Sequence, residues 1–259
     1  MSYGLKLLVI FVVTVPAALL ILLLGPFDRQ GKHVQRITCL WTKMILTVGG
    51  VVLNVKSLSR IDPKRQYVFM VNHQSNIDIP VLVQSLPGSR LRWIAKKELL
   101  WVPFFGWAMW AGKHITVDRS DRFHALGTFK KAKERMKDGV SLVVFPEGTR
   151  GSEGNLLPFK RGGFLLALET GIPIVPVTIN GSGAILPKGD WRLRGGLIEV
   201  IVGPAVSVEN YHPATVRALS AHVRELIEQN LRAGAAIRTP KSENEQPTSA
   251  ASSSLEKTV

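Results

Sequence analysis

The stretch Tyr67-Val68-Phe69-Met70-Val71-Asn72-His73-Gln74-Ser75-Asn76-Ile77-Asp78, with Ile79-Pro80-Val81-Leu82-Val83 behind it, reads as strand, polar turn and helix. The apolar run up to Val71 has the length and uniformity of a buried strand. Asp78 stands where a helix N-cap is expected. A His and an Asp thus fall at the C-terminal end of a strand, the edge at which open α/β sheets bind ligands. Imidazole suits proton transfer near neutral pH, and a carboxylate can fix its tautomer. Taken alone, the stretch is also a capped turn with an incidental His. The surrounding chain has to separate the two readings.

Outward from this stretch, short apolar runs alternate with helical periodicity. Residues 52–55, 91–95, 114–117, 141–145, 174–179 and 197–202 read as further strands. Residues 79–85, the aromatic-rich 98–111, the basic 121–137, 162–169 and the amphipathic 213–231 read as helices. This alternation predicts an α/β domain over residues 51–232, its mixed, largely parallel sheet flanked by helices. Pro176, inside one of the strands, predicts an edge or a bulge there.

Residues 7–27 are an almost unbroken apolar run between Lys6 and Asp28, long enough to cross a bilayer core. Val34, Ile37, Leu40, Trp41, Met44, Ile45 and Val48 then recur at helical spacing, with Gln35, Arg36, Thr38 and Lys43 on the other face. Such an amphipathic helix suits a membrane interface, or packing on the domain. Residues 1–50 are therefore expected to be a membrane-embedded two-helix segment that either spans the bilayer or dips into one leaflet. Arg29, Lys32 and Arg36 follow the apolar run and only Lys6 precedes it, which places the domain on the cytoplasmic side. Residues 233–259 are small, polar and Ser-rich, and are expected to be disordered.

The chain has 259 residues, 46% of them apolar, a net charge of +14 and a pI near 10.2. That charge suits nucleic acid or an anionic membrane surface. No nucleic-acid module is present, and the apolar N-terminus favours the membrane. The single cysteine, Cys39, excludes an internal disulfide and a Cys cluster for zinc. Carboxylates do not cluster and the six His are scattered, so neither a metal nor a cofactor is expected.

Two further stretches carry polar residues at a strand end. Gly112-Lys113-His114-Ile115-Thr116-Val117-Asp118-Arg119 puts Arg119 just past a strand, where a lone Arg is ordinarily a surface charge. Phe145-Pro146-Glu147-Gly148-Thr149-Arg150 caps another. There Gly148 permits a tight turn and Arg150 supplies a planar fork suited to phosphate. Glu147 could hold that Arg or bind a hydroxyl.

Asn72-His73-x4-Asp78, the Gly112…Arg119 segment, Phe145 to Arg150, and Val175-Pro176-Val177-Thr178-Ile179 occur in this order. The ordered set resembles the glycerolipid acyltransferase family, in particular 1-acyl-glycerol-3-phosphate acyltransferases of bacterial inner membranes. The first and third stretches match without departure; the second is looser. The resemblance implies transfer of a fatty acyl group from acyl-CoA or acyl carrier protein, as co-substrate, to the sn-2 hydroxyl of a membrane lysolipid, giving phosphatidic acid. It also implies that Glu147, Gly148 and Thr149 contact the acceptor. Its phosphate would be met by Arg150, Arg119 and Lys97. A glycerol hydroxyl is a poor nucleophile, so a base must take its proton: His73, oriented by Asp78. A thioester is already activated, and no Gly-x-Ser-x-Gly elbow is present, so direct transfer is expected. Other lysolipid acceptors, a thioesterase or lipid hydrolase, and a non-catalytic lipid-binding protein are the competing readings.

Overall fold

The computed structural model describes residues 1–238 apart from 29, 118–129, 131, 137 and 153. Two helices come first, α1 (Tyr3–Leu24) and α2 (Lys32–Gly49). The remainder runs β1 (Val51–Lys56), β2 (Val68–Val71), α3 (Asp78–Ser85), β3 (Leu91–Lys96), α4 (Phe105–Ala111), β4 (Ile115–Val117) and β5 (Ser141–Val144). It ends with α5 (Gly162–Thr170), β6 (Ile174–Asn180), α6 (Ser182–Ile185), β7 (Gly196–Val202) and α7 (Val216–Arg238). Most of the helix expected over 121–137 lies outside the described residues. Within it, 132–136 are helical, and Ala132 and Met136 are buried.

The described strands form one sheet in the order β1-β7-β6-β2-β5-β3-β4, parallel throughout except where β6 meets β7. Four adjacent strands, β6, β2, β5 and β3, run the same way, so their C-terminal ends open on one edge. β2, β5 and β6 are buried at every position, as the unbroken apolar runs require of strands covered on both faces. Phe69, Val71 and Val143 face one core with α2 and α3. Val68, Met70, Leu142 and Val144 face the other, where Phe164 of α5 and Val216, Leu219, Val223 and Ile227 of α7 pack at helical spacing.

Several expectations change. Pro176 lies on β6, third of seven strands, and not at an edge. It pairs with Met70 in register, and on the other side its carbonyl accepts from Gly203 N (2.8 Å), just past the last β7 residue, Val202. Proline has no N–H to return the bond to Gly203 O, so the antiparallel β6–β7 pairing loses one bond, at the point where β7 has just ended. The helix expected over 98–111 is broken. A short 3-10 turn, Lys97–Trp101, precedes Pro103, which disfavours helix at Val102; α4 then starts beyond Phe104 at φ +60°. α7 continues to Arg238, six residues past the expected boundary at 232. Ala233, Ala235 and Ala236 are strong helix formers and favour this extension. The rest of the expected disordered tail lies outside the described residues.

The two N-terminal helices are present, but only α1 is long and apolar enough to cross a membrane. α2 spends much of its apolar stripe on α1 and α3: Val34, Ile45 and Leu46 are buried. Lys6, the one charge of α1, donates from Nζ to Gly49 O and Leu193 O, both at 3.0 Å. At the other end of the helix, Gly25 lies against the Ala111 backbone so closely that a Cβ there would meet Ala111 O at 2.5 Å. Trp41 Nε1 donates to Thr14 Oγ1 (2.9 Å) between the two helices. α1 is thus fixed to the α/β body at both ends.

Candidate active site

β2 is four residues long because Asn72 turns from strand pairing to side-chain pairing. Its Nδ2 donates to Ile179 O (2.9 Å) and its Oδ1 accepts from Ile179 N (2.7 Å). The buried amide thereby extends the β2–β6 pairing by one step, and the chain leaves the sheet at His73.

Asp78 is the first residue of α3, and Ile77 holds the cap position. The carboxylate turns back on the preceding turn and caps no helix amide. Its Oδ2 accepts from the backbone N–H of Gln74 and Ser75, both at 2.9 Å, and lies 2.8 Å from His73 Nδ1. With Asp78 fully buried, this arrangement favours the tautomer with the proton on Nδ1 and the lone pair on Nε2. The ring stacks on Phe145 at 3.9 Å between centroids, 16° from parallel. His73 keeps 16% of its side-chain surface exposed, and that exposed edge lines a cleft. Ser75 is not available as a nucleophile: its hydroxyl is buried and donates to Leu186 O (2.6 Å).

The second turn follows β5, immediately beside β2. Glu147 is 3% exposed and faces inward. Its Oε1 accepts from His73 N and its Oε2 from Leu157 N, both at 2.9 Å. Burial pushes its carboxyl above the ordinary value, against the opposing pull of the two amides and of Arg224. Each Glu147 oxygen thus accepts one backbone amide, which ties this turn to the His73 backbone and to Leu157. Gly151 N donates to His73 O (2.8 Å), so Glu147 and Gly151 clamp the His73 backbone from both sides. Arg224 of α7 secures the loop behind, donating to Leu157 O (2.7 Å) and Leu156 O (3.1 Å), its guanidinium lying over the Phe159 ring. Gly148 takes φ +72° beneath the Lys160 side chain.

The cleft, about 280 Å³, is lined by His73 and Phe145, by Gly148, Thr149 and Arg150 of the second turn, and by Lys96 and Lys188. Lys97 is not among the residues that line it; its neighbour Lys96 is. Arg119 lies outside the described residues. Lys96 and Lys188 were not singled out in the sequence. The signal for Lys96 was its place at a strand end, whereas Lys188 reaches the site only through the fold. Ile79, Trp93, Ala95 and Leu99 also border a second, apolar cavity of about 90 Å³ between α1, α2 and α4. His114 closes part of that cavity. It is held neutral, pushed down to about 3 by burial and then by Arg92, and its Nδ1 accepts from Trp93 N (3.3 Å). Among the described residues no group of three or more His, Cys, Asp or Glu could hold a metal ion.

Residues 52–180 match the family model described as Acyltransferase. The chain is 35% identical over 198 residues to the human 1-acyl-sn-glycerol-3-phosphate acyltransferase alpha, covering 75% of this chain and 70% of the relative. It is 30% identical over 226 residues to 1-acyl-sn-glycerol-3-phosphate acyltransferase of Escherichia coli K12, covering 85% and 91%. The crystal structure of the 1-acyl-sn-glycerophosphate (LPA) acyltransferase PlsC from Thermotoga maritima aligns with a TM-score of 0.76 at 25% identity, over 92% of this chain and 98% of that one.

Proposed function

The chain belongs to the acyltransferase family, and on that premise we propose that it acylates the sn-2 hydroxyl of 1-acyl-glycerol-3-phosphate to give phosphatidic acid. The donor is a thioester, acyl-CoA or acyl carrier protein. One observation carries the reading: His73, its Nδ1 held by buried Asp78, presents its other edge to a cleft that also contains Arg150.

His73 Nε2 takes the hydroxyl proton as the oxygen attacks the thioester carbonyl. Asp78 Oδ2 stabilises the imidazolium that forms. The tetrahedral intermediate then collapses, the C–S bond breaks, and the proton on Nε2 passes to the departing thiolate. No acyl-enzyme forms, consistent with the committed hydroxyl of Ser75. Arg150 binds the acceptor phosphate as a planar fork. The apolar cavity beside Leu99 and Trp93 receives acyl chain, and the cleft and cavity share those walls.

The lipid acceptor places the protein at a membrane. The attachment of α1 to the α/β body at Lys6 and Gly25 supports its entering one leaflet together with the body's adjoining surface, and the basic residues that follow α1 favour the cytoplasmic side of a bacterial inner membrane. The reaction is tested with detergent-purified protein, labelled 1-acyl-glycerol-3-phosphate and each thioester donor. Phosphatidic acid is the expected product. Thioester hydrolysis without transfer, or acylation only of other lysolipids offered in competition, would overturn the assignment.

A further inference from the structure

Between Ile185 and Arg194 the chain makes a surface excursion whose neck is closed by Arg194 N donating to Ile185 O (3.0 Å). Compact loops with ends this close are often functional. Two contacts seat this one at the site. Ser75 Oγ, from the His73–Asp78 turn, donates to Leu186 O (2.6 Å). Two residues on, Lys188 Nζ donates to Arg150 O (3.4 Å) and the side chain lines the cleft. An ammonium has three donors, and only one is spent there.

The surrounding charge is unbalanced. The described residues lining the cleft include the cations Lys96, Arg150 and Lys188 and no carboxylate. The nearest acid in the loop, Asp190, is already engaged. Arg192 Nε lies 3.0 Å from its Oδ1 and Arg194 Nη2 2.8 Å from its Oδ2. Those hydrogen bonds hold its carboxyl well below the usual range. Asp190 is therefore neutralised within the loop, and among the described residues lining the cleft no carboxylate compensates Lys188.

Resting on the acceptor assigned above, we propose that Lys188 is a specificity-determining contact for the acceptor headgroup, joining Arg150 to select a phosphomonoester over a phosphodiester. A phosphomonoester carries nearly two negative charges at neutral pH and has three acceptor oxygens, whereas a diester carries one charge and has two free oxygens. A second cation therefore adds more to the monoester, and a mobile lysine suits it as a point charge beside the arginine fork. Ser75 positions the loop and has no contact of its own with the acceptor.

The test compares wild-type protein, Lys188→Gln and Lys188→Arg with 1-acyl-glycerol-3-phosphate and with lysophosphatidylglycerol as acceptors, at fixed donor. Lys188→Gln is expected to lower kcat/KM for the monoester about tenfold through acceptor KM, to change the diester less, and to leave donor KM and Tm unchanged. Lys188→Arg is expected to restore most of the loss. Equal losses on both acceptors, a shift confined to donor KM, or an unchanged acceptor KM in an active enzyme would overturn the role of Lys188 alone. A wild-type protein inert toward the monoester would remove the acceptor assignment itself, and this proposal with it.

Discussion

His73 Nδ1 lies 2.8 Å from Asp78 Oδ2, and the same oxygen accepts the backbone N–H of Gln74 and Ser75. One buried carboxylate oxygen therefore both orients the imidazole and shapes the turn that carries it. The two duties separate by substitution. His73→Ala should lower kcat about 10²–10⁴-fold and cost less stability than removing the carboxylate, because Asp78 keeps its two amide donors. Asp78→Ala should lower kcat similarly and in addition cost about 2–4 kcal/mol of stability, because two buried amides lose their acceptor. Turnover assays with thermal melts check both. An Asp78→Ala protein as stable as wild type would refute the second duty.

Arg150→Ala removes the planar fork from the cleft. The loss of a charge-assisted hydrogen bond, about 1.5–3 kcal/mol, should appear as a roughly ten- to hundredfold fall in kcat/KM for the acceptor, with donor KM unchanged. Steady-state kinetics with each substrate varied in turn measure it. An unchanged acceptor dependence would take Arg150 out of the site.

Asn72 pairs with Ile179 through both ends of its amide. Asn72→Ala leaves the buried N–H and C=O of Ile179 unpaired and should destabilise the protein by about 2–4 kcal/mol. The expected signature is a lowered urea midpoint with an unchanged slope, together with reduced kcat as the His73 turn loosens. A midpoint equal to wild type would contradict the stitching role.

Glu147 gives a pH signature. Its folded pKa is raised by burial above the ordinary value of 4.5, so the folded state holds the proton more tightly than the unfolded one. Its contribution to stability is full below 4.5 and is lost as pH rises through the raised value. Wild-type Tm should therefore decline across that window. Glu147→Gln should lack this decline and, above the window, should be destabilised by about 1–3 kcal/mol, because an amide presents one acceptor where two N–H groups need acceptors. Tm-versus-pH profiles that run parallel would exclude the effect.

Arg224 stands behind the same chain of bonds, running through Leu157 to Glu147 and the His73 backbone. Arg224→Ala should lower kcat several-fold with substrate KM values little changed, although the residue touches neither substrate. Rescue by Arg224→Lys should be partial, since one ammonium cannot reproduce the planar fork holding two carbonyls and the Phe159 face. Wild-type kcat in Arg224→Ala would break the proposed linkage.

The sequence by itself determined the α/β alternation, the strand ends carrying His73 and Arg150, and the apolar α1. Each is written in local periodicity or in a short motif, and local terms act between residues near in the chain. Only the tertiary structure decided that β2 and β5 are parallel neighbours, so that turns 74 residues apart share one cleft. It also turned Glu147 inward, brought Lys188 beside Arg150, and placed α2 against α3. Glu147 and Arg150 look alike in sequence, as two charged residues in one turn. Which faces the cleft depends on which finds buried amides to satisfy its oxygens, and those amides, of His73 and Leu157, come from elsewhere in the chain. Lys188 carried no motif, because a flexible cation acquires a role only from the charges around it, and the fold alone assembles those.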